Sequence, residues 1–185
     1  MSGSRFRAII LNDDHGVILA ASMERQKDMV SATIVVANLH EKQLDVMPSE
    51  ITLHDLGANS RTLEIVPPEK VAAKALKGTW EEFFLGISAS GANTTVHTAK
   101  GDSFEVPDVE ARANATRTLN ERAAEKRQRA ADVNSSALRE HTLFQRQNTV
   151  GKLHFKAGKP APKEVVLRVP LRGLIYEIPF ELPAK

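Results

Sequence analysis

The segment Asn12-Asp13-Asp14-His15-Gly16 concentrates the most chemistry: two carboxylates beside an imidazole suit a divalent cation, and a bound cation activates water for hydrolysis. Asn, Asp and Gly also dominate ordinary turns, where short polar side chains bond the backbone and glycine accepts a positive φ. The segment therefore reads as a turn, with a metal-dependent hydrolase centred on Asp13, Asp14 and His15 as the rival reading. The other histidines, His40, His54, His97, His141 and His154, lack the spacing that places two on one helical face, so they read as surface or strand residues. Gly86-Ile87-Ser88-Ala89-Ser90-Gly91 comes nearest to a Gly-x-Ser-x-Gly nucleophile turn, but its second glycine is displaced by one position. Phosphate-loop and dinucleotide-binding glycine patterns are missing. The sequence has no cysteine, which excludes disulfides, thiolate metal sites and cysteine nucleophiles. On these grounds no catalytic residue, no metal and no cofactor is expected.

Any such residues need a scaffold, and 185 residues, 42% of them apolar and 26% charged, are enough for one buried core. A formal net charge of +2 is a thin margin and gives no reason to expect nucleic acid as a partner. No run approaches the roughly 18 to 20 apolar residues of a membrane-spanning helix, so no transmembrane segment is expected. Ala8-Ile9-Ile10-Leu11 is cut short by Asn12-Asp13-Asp14, so no signal peptide is read here. Either the protein stays inside the cell or an export signal has been trimmed from its N-terminus.

Period-two patterns occupy both ends of the chain. Val30, Ala32, Ile34 and Val36 alternate with Met29, Ser31, Thr33 and Val35; after the polar turn from Asn38 to Gln43, Leu44 and Val46 and then Ile51 and Leu53 resume the pattern. Near the C-terminus Leu153 and Phe155, then Val165, Leu167 and Val169, then Leu174, Tyr176, Ile178 and Phe180 do the same, with Arg172-Gly173 turning a closing hairpin. Between them, Pro67-Pro68 and Glu69 open a helix of about 68–85, which includes Trp80 as a packing residue. From Gly86 to Lys100 the chain is small and polar and reads as a mobile segment or a binding loop. Pro107-Asp108 opens a long helix of about 107–140, rich in Ala, Arg and Glu, with pairs Asp108–Arg112 and Glu125–Arg129 one turn apart and a shallow stripe through Ala111, Ala115, Leu119, Ala123, Ala130, Val133 and Ala137. Its cations Arg112, Arg117, Arg122, Lys126, Arg127 and Arg129 are interleaved with acids and have no aromatic partners. A solvated face is therefore favoured over a nucleic-acid surface.

Two groups of segments resemble a known kind of protein. Ser31-Ala32-Thr33-Ile34-Val35-Val36-Ala37-Asn38, with Leu44-Asp45-Val46 and Ile51-Thr52-Leu53-His54-Asp55, is similar to the strand, asparagine turn and strand that open uncharacterised bacterial immunoglobulin-like β-sandwich proteins, often exported. Asn148-Thr149-Val150-Gly151-Lys152-Leu153-His154-Phe155, Val166-Leu167-Arg168-Val169-Pro170 and Ile175-Tyr176-Glu177-Ile178-Pro179-Phe180 resemble their final strands. The resemblance covers about half of the chain and leaves the helical segments unexplained. It implies a fold and an envelope location, and no activity.

The expected object is thus a mainly β protein, an antiparallel immunoglobulin-like β-sandwich read as one domain over 1–185, with a helical and loop insertion over 67–140. The expected role is non-enzymatic: an interaction or structural module whose long helix meets a protein partner or a second copy through Leu119, Ala123, Val133, Arg122 and Arg129. Metal-dependent hydrolysis at Asp13-Asp14-His15 and nucleic-acid binding by the long helix are the alternatives.

Overall fold

The structure, a computed structural model, describes residues 11–12, 15–26, 28–57, 60–77, 93–97, 103–107 and 109–182. It is mainly antiparallel β with two helices among the described residues. The chain divides into two compact units, one of Met1–Val71 with Asn134–Lys185 and one of Ala72–Val133.

The first unit is built on a five-stranded sheet in the order β1-β2-β3-β11-β7 and a four-stranded sheet in the order β13-β12-β5-β6. In chain order, β1 is Leu11–Asn12, β2 Val17–Gln26, β3 Met29–Asn38, β4 Leu44–Val46, β5 Thr52–Asp55, β6 Thr62–Leu63 and β7 Ile65–Val66. After the second unit come β10 (His141–Leu143), β11 (Gln147–Lys156), β12 (Glu164–Leu171) and β13 (Leu174–Glu181), and β10 pairs with β4. Alternation decides which face each residue takes. Val17, Leu19 and Ala21 of β2, Val30, Ala32, Ile34 and Val36 of β3, and Leu153 and Phe155 of β11 are buried from one sheet. Leu53, Val165, Leu167, Val169, Ile178 and Phe180 are buried from the other, and all of them belong to one hydrophobic cluster.

Two glycines carry specific geometric demands. The β12–β13 hairpin closes on Leu171 paired with Leu174, and Arg172 and Gly173 both take positive φ, +52° and +77°, the pattern of a turn whose twist matches the flanking strands. At Gly151 of β11 a Cβ would run into the Leu138 backbone, so the bare position lets Leu138 enter the core cluster.

The segments between the two groups of strands depart from the sequence reading. Helix α1 is Pro68–Leu76, opened by proline and Glu69 as expected; residues 78–85 of the expected helix, with Trp80, lie outside the described residues. The stretch read as a loop from Gly86 to Lys100 contains a strand, β8 (Asn93–His97), which pairs antiparallel with β9 (Ser103–Pro107). The β-branched Thr94, Thr95, Val96 and Val106 account for this, a propensity hidden by the polar composition. Helix α2 is Val109–Ser135 and not 107–140: Pro107 ends β9, and Asn134-Ser135-Ser136 are poor helix formers after which Leu138 turns into the core.

Candidate functional site

His15 and Gly16 lie in the connection between β1 and β2, with Gly16 at φ +69°, and Asp13 and Asp14 lie outside the described residues. What the structure shows at this end is a polar knot around Asn38, the fully buried last residue of β3. Its Nδ2 donates to the Lys42 carbonyl at 2.8 Å and the Leu143 carbonyl at 2.9 Å, and its Oδ1 accepts the His40 N–H at 3.0 Å. Arg172 reaches in from the β12–β13 turn: Nη2 donates to Asn38 Oδ1 at 2.8 Å and to the Lys42 carbonyl at 2.6 Å, and Nη1 donates to the His15 carbonyl at 2.6 Å. One guanidinium thereby joins the hairpin of the four-stranded sheet to two connections of the five-stranded sheet. The arrangement binds two backbone oxygens and the Asn38 side-chain oxygen, all already present in the fold, and so acts as a structural tie.

A second tie holds the opposite connections. Arg61 Nη2 donates to the Ala157 and Pro160 carbonyls at 3.1 and 2.6 Å, and its Nε stands 3.4 Å from Asp55 Oδ2 as an ion pair without hydrogen-bond geometry. The other Asp55 oxygen accepts the Gly57 N–H at 2.9 Å. His54 is held between Thr52 and Thr62, each hydroxyl about one hydrogen bond away at 3.0 and 3.1 Å. His40 Nδ1 accepts the Lys42 N–H, and His141 is exposed on β10.

His154 is a strand residue of β11, as the sequence reading has it, and it is buried, only 8% exposed. It sits on the face of β11 opposite the core, where the register places Glu24, Ser31, His154 and Val66 in one row across β2, β3, β11 and β7. Its Nδ1 shares a hydrogen bond with Ser31 Oγ at 2.9 Å, and its Nε2 is buried with no partner among the described residues. Burial, and after it the charge of Lys152, hold the imidazole below its ordinary pKa of 6.5. A serine bonded to histidine is one half of a nucleophilic arrangement, but Ser31 is 7% exposed and offers no open path to a substrate carbonyl.

Helix α2 is 27 residues long and mostly exposed. Its covered or half-covered residues, Leu119, Ala123, Lys126, Ala130 and Val133, recur at intervals of four and three, which is one stripe of a helix. Three of the residues expected to meet a partner, Leu119, Ala123 and Val133, therefore lie on the half-covered stripe, while Arg122 and Arg129 are exposed. Arg129 pairs with Glu125 at 3.5 Å, both side chains in solvent. The side chains of Ala111, Arg112 and Ala115, and Asp108 with them, lie outside the described residues.

Among the described residues no group of three or more His, Asp and Glu could hold a metal ion, and no helix is long and apolar enough to cross a membrane. No family model, no curated protein and no solved structure matches the chain. Sequence reasoning missed Arg172, Arg61 and the Ser31–His154 pair. Only register signals the last of these: Ser31 and His154 both occupy the non-core parity of their strands, which marks a shared face but not direct opposition.

Proposed function

We propose that the chain is a non-enzymatic interaction or structural module on an immunoglobulin-like β-sandwich, whose long helix receives a protein partner or a second copy. The observation that carries this reading is α2: a 27-residue helix whose covered stripe is narrow and whose other described side chains, including Arg122 and Arg129, are exposed. Asn38, Arg172 and Arg61 of the first unit direct hydrogen bonds to backbone carbonyls of the fold, and Arg172 also donates to the Asn38 side chain. Two β-sheets sharing one cluster support the sandwich, and the resemblance of the strand segments supports its immunoglobulin-like type and a bacterial, exported setting.

The test is the absolute mass of the purified protein by light scattering, repeated with residues 109–135 replaced by a flexible linker. A dimer that becomes a folded monomer supports self-association through α2. If the full chain is monomeric and a pull-down from native extract captures nothing that depends on α2, the reading fails.

A further inference from the structure

We propose that β11 carries a proton-sensitive latch: protonation of His154 releases β7, the strand through which the chain leaves the first unit. This goes beyond the partner reading and does not depend on it. Both roots of the second unit are fastened to one short stretch of β11. On the way out, Val66 and Ile65 pair with His154 and Phe155, and the Lys156 N–H donates to the Glu64 carbonyl at 2.9 Å. On the way back, the Lys152 N–H donates to the Ser136 carbonyl at 2.7 Å and the Leu138 N–H to the Lys152 carbonyl at 3.0 Å. His154 is the buried titratable side chain between these anchor points.

Its surroundings accept the neutral ring and oppose the charged one. Ser31 satisfies Nδ1, whereas Nε2 has no partner among the described residues, so a neutral ring with its proton on Nδ1, donated to Ser31 Oγ, leaves Nε2 bare, and protonation there creates a buried donor without an acceptor. Along β11 the same face carries Lys152 and Lys156, two positions away on either side. Across the sheet β3 offers Met29, Ser31 and Thr33, none of them charged, and Glu24 of β2 is separated from His154 by Ser31 and bonded by Gln26. Val66 of β7 is apolar; Glu64 beside it faces Lys156 Nζ at 3.9 Å; Glu69 and Lys70 of the first turn of α1 are exposed. A proton on His154 therefore adds a cation between two lysines beside a strand held to β11 by two register pairs. Opening β7 hydrates the ring and restores its ordinary affinity for the proton.

The sign follows. The folded ring binds its proton less readily than the opened one, so the closed state is fully favoured above about pH 6.5 and loses ground as pH falls below it, until the lowered folded pKa is passed. Hydrogen–deuterium exchange of the full chain reads this, with peptides over 62–71 compared with peptides of β3 and rates corrected for intrinsic pH dependence. Protection over 62–71 is expected to fall by up to roughly tenfold per pH unit in that window, with β3 losing less. His154→Gln, which keeps a partner for Ser31, should remove the pH dependence. Lys152→Gln, an exposed change, should shrink the total loss by bringing the folded pKa nearer to that of the opened state, and it serves if His154→Gln does not fold. The proposal is overturned if protection over 62–71 does not change with pH, if His154→Gln retains the same fall, or if the His154 imidazole titrates by NMR at its ordinary value in the folded protein.

Discussion

The strands of the first unit and helix α2 of the second bury their side chains on very different terms. Along β3 alternate residues, Val30, Ala32, Ile34 and Val36, are wholly removed from solvent, and Phe155 of β11 packs in the same cluster. Along α2 the stripe holds one leucine and one valine among alanines and a lysine, and among the described side chains of the helix only Ala130 is buried. Hydrophobic stabilisation scales with the apolar area taken from water, so the sheets hold the fold while α2 depends more on its own propensity and on whatever covers it. A region that contributes little to the core is free to present its surface elsewhere, which is why we propose a partner surface there.

Core truncation should show the contrast at its largest. Phe155→Ala is expected to lower unfolding free energy by about 3 to 5 kcal/mol in a urea titration, and Leu119→Ala by clearly less, about 1 to 2 kcal/mol. Equal losses would dissolve the distinction between the two regions. Next comes the polar knot: Asn38→Ala takes this partner from the Leu143 carbonyl, the His40 N–H and Arg172 Nη2, leaves the Lys42 carbonyl with its Arg172 donor, and should cost about 2 to 3 kcal/mol. Gly151→Ala sharpens the comparison at the root of α2, because the added methyl displaces Leu138 from the core; a loss of about 1 to 3 kcal/mol in thermal unfolding is expected. The smallest effect belongs to the helix surface, where Glu125→Gln removes the solvent-exposed pair with Arg129 and should change stability by less than about 0.5 kcal/mol, vanishing at high salt.

The framework was the more legible of the two regions, and the reason is periodicity. Strand β3 and the hairpin β12–β13 appear where Val30 to Val36 and Val165 to Phe180 alternate, and the Arg172-Gly173 turn lies between the two strands that the pattern marks. Strand β2 escaped notice because Val17-Ile18-Leu19-Ala20-Ala21 is apolar on both parities, so no period of two stands out even though its inward residues are buried. The β8–β9 pair escaped for the opposite reason: Asn93, Thr94, Thr95 and His97 look like loop composition, so no apolar alternation marks the strand even though its partner Ser103–Pro107 lies close by in the sequence.

By itself the sequence determined the mainly β class, the faces of the alternating strands, the closing hairpin and the existence of both helices, because these follow from local spacing of apolar residues and from proline and glycine chemistry. It also excluded every thiol-based site, since cysteine is absent. Tertiary structure alone decided that Arg172 binds Asn38 across 134 positions of chain, that Ser31 faces His154 across 123, and that β7 and the return from α2 fasten to the same few residues of β11. Those contacts are fixed by strand register and sheet order, and both arise from minimising exposed apolar surface over the whole chain at once, which no local pattern encodes.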